Sequence, residues 1–484
     1  NLPTPFGRER ACLHTDTPDR LAFCAPSPPG NPAEGPQQMS NLLGLADQIY
    51  FVGERATGAA AVMQAVWVYN HAIDIDGLRR FHHHLHRGRL SRRVERSPLP
   101  FGRHRWVTPR HPPVLEIGAT PRPREGFDAW LDAQAAVTVD LEHGPEWHLA
   151  VLPFTDGGAG ISLVVSHGLT DGVGLCHAFA DAACGREHPG HWPAAGARPR
   201  WRAVREDARQ TVRDFPAIGR AAVAAARFAR RSRKASPAPR PAEPHAKLAA
   251  ADVPFTLPTT TVFVDAEAWQ ARAAELGGTG NGLLAGLTAR LAQKMGRLTS
   301  DGSVTLTMPV SERTSGDTRA NAVVNVNLTI DPAAVTTDLA VIRAATKEAV
   351  TRRRDVPDRE ATMLPLVPLV PQWLVRRMVS LARGSDTRVD SSNLGVIDPD
   401  AYRPDGSRAD HFAIRTIARG MTETIMRRAG GMLTLFSGRV DRQVFVSAVA
   451  YHPGRTNSNA QLRQCLSSAL NDFALTATTG WGLP

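Results

Sequence analysis

The sequence predicts a mixed α/β or α+β protein built from two globular halves. Strand-like and helix-like segments are mixed in both halves, and a Pro- and Arg-rich connector separates them. A chain of 484 residues has room for roughly two to four domains by the usual domain size. We predict a disordered leader or non-native remnant, an N-terminal half, a basic connector and a C-terminal half, at residues 1–38, 39–185, 186–250 and 251–484.

The N-terminal half begins with a strand and a helix. Residues 59–70 are a nearly continuous apolar run, which is typical of a buried strand. The helix predicted at 74–88 carries Leu78, Phe81 and Leu85 at the i, i+3, i+7 spacing of an amphipathic helix. Either Asp74 or Asp76 can cap the start of this helix, since aspartate is a common N-cap residue.

A hairpin and a further helix complete this half. Residues 146–154 and 160–167 form two strand patterns, and the sequence TDGGA between them is a strong turn signal. The helix predicted at 174–184 follows after a Gly-rich loop. The second strand therefore carries Ser166 and His167 into that loop.

The connector has a different composition. Pro, Arg and Ala dominate it, and we expect Pro216 to break its central helical segment. Its basic residues, from Arg198 to Lys234, form either a solvated helix face or a surface for nucleic acid, CoA phosphates or anionic lipid. Among the functional interpretations we favour the lipid surface, since acyl substrates partition there. The apolar-then-basic segment 364–378 is either another lipid contact or core.

The C-terminal half again mixes strands and helices. Residues 259–296 read as strand, helix, turn and helix, and the late pair 432–440 and 443–451 reads as a hairpin. The remaining predicted segments are strands at 303–311 and 321–331, helices at 339–354 and 459–475, and an amphipathic piece at 367–383.

Charge and cysteine usage limit the classes of partner. A net charge of +11 permits anionic partners, but four Tyr and no aromatic–basic interleaving argue against nucleic acid. Five Cys without a C-x-x-C pair indicate neither a disulfide framework nor a zinc site. His82 and His86 have i, i+4 spacing, but no third ligand is in view and an exposed helix face is the better interpretation. We therefore predict no metal and a cytoplasmic protein, either free or peripheral on the inner face of the membrane.

The motif H-x-x-x-D-G stands at the end of the second hairpin strand. His167 ends an apolar strand, and Asp171 and Gly172 follow in a small loop. Such a histidine can act as a general base, because its pKa is near neutral and a rigid strand fixes it. The alternative is a structural histidine in a polar pocket beside an ordinary turn. The motif alone does not distinguish a general base from a structural histidine.

The order of several segments resembles the CoA-dependent acyltransferase superfamily, whose mark is H-H-x-x-x-D-G, and most closely its bacterial wax ester synthase/diacylglycerol acyltransferase branch. Residues 41–52 resemble the opening segment of that branch. Trp147 lies in a segment similar to its P-L-W motif, and Asn281 matches half of its Asn-Asp pair. Residues 308–330 resemble the P-V-S-x-R segment, and 390–399 resemble S-N-V-P-G-P.

The resemblance implies two chloramphenicol-acetyltransferase-like halves that meet in a V around a central tunnel. His167 would be the general base, acyl-CoA the co-substrate without any bound cofactor, and a lipid or small-molecule hydroxyl the acceptor. Asp171 would lock the loop by pairing with Arg313, and Gly172 would allow close backbone approach. Ser391, Ser392 and Asn393 would support the tetrahedral oxyanion or line the tunnel.

Departures from the family pattern leave alternatives open. Ser166 takes the place of the first His, Gly282 that of an Asp, and Gly395 that of Pro-Gly-Pro. Plant members of the superfamily work with one such His. The alternatives are an enzyme of secondary metabolism that uses an acyl carrier protein, and a non-catalytic lipid-binding relative.

Overall fold

The structure is a computed structural model that describes residues 41–187, 192–235, 255–314, 317, 319–355, 362–381 and 388–481. The predicted leader at 1–38 and the Pro-rich end of the connector at 236–250 lie outside these residues. The mixed α/β class is confirmed, because two large sheets carry helices from both halves. The V shape and the tunnel stay predictions.

Helices in the described residues are, in chain order, α1 (Leu45–Thr57), α2 (Ile75–Arg87), α3 (Phe127–Ala136), α4 (Gly172–Ala183), α5 (Arg200–Ala235), α6 (Ala266–Glu275), α7 (Gly280–Lys294), α8 (Ala340–Asp355), α9 (Gln372–Leu381), α10 (Glu423–Arg428) and α11 (Asn459–Asn471). Short 3₁₀ turns lie at Arg124–Gly126, Leu364–Leu369 and Pro399–Tyr402. The N-cap of α2 is Asp74, whose side chain accepts from the N–H of Asp76, as predicted.

The first sheet has five strands in the order β11-β1-β6-β5-β4. Its strands are β1 (Ala60–Tyr69), β4 (Leu115–Ile117), β5 (Trp147–Pro153), β6 (Ala159–Ser166) and β11 (His411–Arg419). Every residue of β6 is buried, which explains why its sequence is mostly apolar and does not alternate between apolar and polar residues. The predicted hairpin is the antiparallel pair β5–β6.

The second sheet has seven strands in the order β14-β7-β13-β12-β10-β8-β9. Its strands are β7 (Thr259–Asp265), β8 (Val304–Ser311), β9 (Val323–Ile330), β10 (Arg388–Val396), β12 (Met432–Val440), β13 (Gln443–Tyr451) and β14 (Thr478–Thr479). A small separate ribbon joins β2 (Arg93–Glu95) and β3 (Arg105–Val107). The predicted late hairpin is the antiparallel pair β12–β13. Val440 pairs with Gln443, so the turn lies at 441–442, where the sequence predicted it.

One strand crosses between the two halves of the sequence. β11 belongs to the segment predicted as the C-terminal half, but it pairs antiparallel with β1 along its whole length. Phe412 and Ile414 of β11 are buried, and the Phe412 ring lies 5.3 Å from the ring of Trp67 on β1. The sequence analysis did not identify this strand. The N-terminal sheet therefore depends on the C-terminal segment for one edge.

The expectation that Pro216 breaks the helical segment of the connector is wrong for α5. It is a continuous helix of 36 residues that includes Pro216, so the proline does not divide it. Proline removes one backbone hydrogen bond, but the Ala- and Arg-rich sequence on both sides has high helix propensity. Asp207 ties the helix to the body through Arg105 and Arg198, each 3.0 Å away.

Two apolar cores stabilise the two sheets. The larger surrounds the first sheet and includes Trp67, Phe179 and Phe412 together with Phe436 and Phe445 from the second sheet. The other lies between the second sheet and its helices α6, α7 and α11. The first core thus contains residues from both halves of the chain.

Candidate active site

His167 lies directly after β6, where a strand of the first sheet meets a segment of the C-terminal half. Its backbone N–H donates to the carbonyl of Ala61 on β1 at 2.9 Å. Its carbonyl accepts from the side-chain amide of Asn321 at 3.0 Å. The backbone of this histidine is therefore fixed from both halves of the chain.

The imidazole of His167 has a stacking partner that the sequence analysis did not identify. The Tyr50 ring on α1 lies 4.8 Å from it, centroid to centroid, with an angle of 11° between the planes. Nδ1 has no hydrogen-bond partner among the described residues. The plane of the ring is therefore held while one nitrogen remains without a protein partner.

Burial keeps this imidazole neutral. Loss of solvation lowers the pKa of His167 below its usual 6.5. Hydrogen bonding to its own backbone, the negative charge of Asp171, hydrogen bonding to Asn321 and the charge of Asp47 oppose that shift without cancelling it. A neutral imidazole carries a lone pair on one ring nitrogen, which is what a general base requires.

Asp171 is the N-cap of α4, and its carboxylate is fully engaged. Oδ1 accepts from the N–H of Gly174 at 2.7 Å, and Oδ2 accepts from the N–H of Ala322 at 2.8 Å. Arg313 donates from Nη2 to the same Oδ2 at 2.6 Å. Both side chains of this ion pair are nearly inaccessible to solvent. The carboxylate therefore joins the loop after His167 to the segment after β8.

The Arg313 guanidinium also holds its own loop. Its two Nη atoms donate to the backbone carbonyls of Asp317, Arg319 and Ala320 at 3.0 to 3.3 Å. The backbone N–H of Asp171 also donates to the Ala320 carbonyl, at 3.0 Å. These contacts occupy Arg313 and Asp171 in holding the two loops together.

Asn321 and Asp47 form a second connection behind His167. Both the backbone N–H and the side-chain amide of Asn321 donate to Oδ1 of Asp47 at 3.0 Å. Burial raises the pKa of Asp47, and the hydrogen bonds from Asn321 and the charge of Arg92 oppose that rise. The only sequence signal for this pair was that both residues lie in family-like segments.

Ser166 and Gly172 flank the motif in different ways. The Ser166 hydroxyl is buried and accepts from the N–H of Gly168 at 3.2 Å, so it stabilises the turn. A Cβ placed on Gly172 would lie 2.7 Å from Leu394 of β10 and 2.8 Å from Phe436 of β12. Glycine at 172 therefore permits α4 to contact the second sheet.

The three candidate oxyanion residues do not share one orientation. The Ser391 hydroxyl accepts from Thr288 Oγ1 of α7 at 3.2 Å, so Ser391 faces the helix layer. Its proposed part in supporting the oxyanion or lining the tunnel stays a prediction. Strand alternation places Ser392 on the opposite face, in register with Phe436. The Asn393 side chain accepts from the N–H of Gly395 at 2.8 Å. Ser392 is therefore the member of this group that shares a sheet face with the motif.

Two other family-like residues lie away from the motif. Trp147 is buried at the start of β5, in register with Val165, and the ring of His82 lies 5.3 Å from it. His82 is thus partly buried and not fully on an exposed face. Asn281 lies in the first turn of α7. Neither Trp147 nor Asn281 contacts His167 in any recorded interaction of the described residues.

A cavity of about 330 Å³ opens beside the Arg313 loop and α4. Its lining includes three guanidinium groups and a histidine, together with acidic and small residues: Arg89, His177, Ala180, Asp181, Arg186, Arg313, Thr314 and Asp398. Burial lowers the pKa of His177, and the charges of Arg89 and Arg313 lower it further. The cavity is strongly polar, and the sequence analysis did not foresee it.

The described ranges of the chain contain neither a metal-binding cluster nor a membrane-spanning helix. No cluster of three or more His, Cys, Asp or Glu side chains in these ranges is arranged to hold a metal ion. Within the same ranges, no helix combines the length and the apolar character that crossing a bilayer requires.

Comparison with known proteins places the fold. No protein-family model and no curated protein matches the sequence. Among solved structures, the first condensation domain of the calcium-dependent antibiotic synthetase aligns with a TM-score of 0.54 and 14% identity, over 91% of this chain and 98% of that one. The nonribosomal peptide synthetase FmoA3 aligns with a TM-score of 0.52 and 18% identity over 92% of this chain.

The aligned region is 45% of the FmoA3 chain, so this protein spans less than half of that synthetase. A wax ester synthase/diacylglycerol acyltransferase from Marinobacter aquaeolei VT8 aligns with a TM-score of 0.49 and 15% identity, over 90% of this chain and 98% of that one. The protein therefore has the fold of the condensation domains. The expectation that the wax ester synthase branch is the nearest stays a prediction.

Proposed function

We propose that this protein is an acyltransferase that moves an acyl group from a thioester donor to a hydroxyl acceptor, with His167 as general base. One observation carries the proposal. His167 stands at a strand end, where burial lowers the pKa of its imidazole, its ring stacks on Tyr50, and its backbone is bonded to Ala61 and Asn321 from the two halves. The fold shared with condensation domains supports it.

In the proposed reaction His167 carries out both proton transfers. The His167 imidazole removes the acceptor's hydroxyl proton as the oxygen attacks the thioester carbonyl carbon, and a tetrahedral oxyanion forms. Collapse of that intermediate breaks the carbon–sulfur bond, and the imidazolium gives its proton to the departing thiolate. The products are an ester and a free thiol. We propose Ser392 as the side chain that supports the oxyanion.

Acyl-CoA is the proposed donor, and it is a co-substrate rather than a resident cofactor. The cavity beside Arg313 is lined by three arginines and two aspartates, and this excess of guanidinium groups supports a phosphate-bearing donor. Arg89 and Arg186 each bond Asp181 through Nε, at 2.8 and 3.0 Å, so a phosphate would compete with that carboxylate. The proposed acceptor is a lipid alcohol or a diacylglycerol-like hydroxyl. We propose a cytoplasmic protein that meets such lipids at an anionic membrane or lipid-droplet surface.

A second candidate keeps the fold and the base but changes the donor. The alignments at a TM-score above 0.5 are with condensation domains of peptide synthetases. This likeness favours a carrier-protein thioester as donor in secondary metabolism. A non-catalytic lipid-binding relative is the remaining alternative, because Ser166 stands where the family has its first His.

The test uses the purified full chain with a panel of hydroxyl acceptors and two donors, acyl-CoA and acyl carrier protein. Mass spectrometry of the products and titration of the released thiol measure turnover. The wild type should form ester with acyl-CoA, and His167→Ala should form none. His83→Ala, an exposed histidine on α2, is the matched control and should keep full activity.

The assays with the two donors distinguish the three candidate functions. Turnover with acyl carrier protein alone would select the second candidate. Acyl-chain binding without turnover on either donor would select the lipid-binding alternative. Full activity in a folded His167→Ala variant would refute the proposed base in every catalytic version.

A further inference from the structure

The outward face of α5 carries a continuous row of apolar and small residues. They recur at spacings of three or four along the helix, which places them on one side of it. We define the α5 stripe by these residues: Trp201, Val204, Ala208, Val212, Phe215, Gly219 and Val223. All of them are exposed, and Trp201, Val212 and Phe215 are each about 70% accessible (67%, 72% and 69%).

The orientation of α5 is fixed by its other face. Ala203, Asp207 and Ala221 are buried against the body. The Asp207 carboxylate also accepts from Ser97 Oγ at 2.6 Å. The stripe therefore points away from the protein, because the opposite side of α5 is bound to it.

Arginines line one side of the stripe. They follow the helix with the same periodicity and are all exposed: Arg202, Arg205, Arg209, Arg213, Arg220 and Arg227. Arg202 pairs with Glu206 at 2.8 Å. For Arg205, Arg209 and Arg213, no ion pair with any described acidic residue is recorded. The opposite side of the stripe carries uncharged residues such as Thr211 and Ala222.

We propose that α5 lies along an anionic lipid surface, with the α5 stripe inserted among the headgroups and the arginine row on the lipid phosphates. A helix with aromatic and aliphatic residues on one face and arginines beside them has the composition of helices that lie in the membrane interface. The stripe covers 23 positions, or about 34 Å at the α-helical rise. This inference deepens the peripheral lipid contact proposed above and does not depend on the catalytic role of His167.

Charge favours lipid over a second copy of the chain. In an antiparallel self-pair along the stripe the two arginine rows would lie side by side and repel, and in a parallel self-pair neither row would face an opposite charge. An anionic bilayer offers negative charge along the whole length of the row, and it attracts each arginine near the surface.

The experiment is co-sedimentation of the full chain with vesicles of phosphatidylcholine alone or with 30 mol% phosphatidylglycerol, at two salt concentrations. The wild type should bind the anionic vesicles at low salt and less at high salt. The triple variant Trp201→Ser/Val212→Ser/Phe215→Ser should bind at least tenfold less, as should Arg205→Glu/Arg209→Glu/Arg213→Glu.

Matched controls use exposed residues elsewhere. Val114→Ser/Val341→Ser/Val396→Ser removes equally exposed aliphatic side chains, and Arg110→Glu/Arg122→Glu/Arg428→Glu makes the same change of net charge. The aliphatic control should bind like the wild type. The charge control should lose clearly less binding than reversal of the arginine row. Circular dichroism should show native helix content in all four variants.

Four outcomes would overturn the inference. Wild-type affinity in the stripe variant would assign lipid binding to another surface, and equal losses in both charge variants would reduce the effect to net charge. A dimer in sedimentation velocity that the stripe variant abolishes would identify a second copy as the occupant. If the wild type binds no vesicle, the peripheral location itself is wrong, whereas the acyl-transfer assay remains unaffected.

Discussion

Tyr50 and His167 stack face to face, although they lie on different elements of the N-terminal half. Burial and the negative charges of Asp47, Asp171 and Asp390 raise the pKa of the Tyr50 phenol, so it stays protonated near neutral pH. Its ring is therefore a neutral plane that limits rotation of the imidazole. The rate of acyl transfer should depend on that plane and less on the hydroxyl.

Substitution at Tyr50 tests this dependence. Tyr50→Phe retains the ring and should keep kcat within a few-fold of the wild type, because stacking is retained. Tyr50→Ala removes it and should lower kcat by about tenfold or more, since a misplaced base loses its alignment. Steady-state kinetics with saturating donor measure both. Equal losses in the two variants would instead assign the effect to the hydroxyl.

The pH profile of kcat/KM reports the base. Because burial lowers the pKa of His167, the imidazole stays neutral at pH values where an exposed histidine is protonated. The acid limb should therefore have its midpoint below the usual histidine value of 6.5. Stopped assays between pH 4.5 and 9 measure it. A midpoint above 6.5 would contradict a desolvated base.

The ion pair between Asp171 and Arg313 should matter for stability as well as activity. Removing one partner of a buried pair leaves an uncompensated charge and costs about 3–5 kcal/mol. Arg313→Ala should lower the free energy of unfolding in urea by that amount. Arg427→Ala removes an arginine from an exposed pair with Glu423 and should change stability little. Similar results in the two variants would show that Asp171 is satisfied by backbone donors alone.

Glycine 172 should not tolerate a side chain, whereas Gly282 should. In Gly172→Ala the new methyl would press on Leu394 and Phe436, and overpacking of this kind costs about 1–3 kcal/mol. In Gly282→Ala the nearest atom lies 3.6 Å away, and alanine has higher helix propensity. The first variant should unfold at lower temperature than the wild type and the second at the same or a higher one. Differential scanning calorimetry measures both.

Glu146 should make stability depend on pH. Burial raises the pKa of its carboxyl from 4.5 to about 7, against the opposing charge of Arg93. The folded state therefore favours the protonated acid, and this contribution is complete below pH 4.5 and lost as the pH rises through 7. The loss is about 3 kcal/mol for a shift of this size.

The comparison of wild type and Glu146→Gln isolates that carboxyl. The variant cannot ionise at this position, so it should gain stability relative to the wild type between pH 5 and pH 8. Urea denaturation at the two pH values measures the gain. If the difference between the proteins does not change with pH, the carboxylate is solvated in the folded state.

Local pattern was sufficient for the elements that carry the motif. The apolar run that ends at Ser166 and the Gly-rich loop after it correctly predicted β6 and α4, because strand burial and N-capping are local properties. The contact between Asp171 and Arg313 was expected from the order of the family-like segments, and the two groups lie 2.6 Å apart.

Properties that depend on distant partners were not predictable. Which face of β10 holds Ser391 depends on its packing against Thr288, and a strand pattern does not specify that partner. Tyr50 and Asn321 approach His167 only through the tertiary fold. The proline rule failed for α5 because propensity on both sides of Pro216 and contacts with the body outweigh one lost hydrogen bond.

The crossing of β11 has a consequence for how the chain folds. The hydrogen bond from Arg415 of β11 to Gln64 of β1 joins residues that are 351 positions apart. Closing so long a loop is slow, so we expect the β1 edge to pair late in folding. Until it pairs, this edge is exposed to aggregation. A fragment that ends in the connector would keep that edge unpaired permanently. The two halves are therefore expected to unfold as one cooperative unit and to require co-expression if they are split.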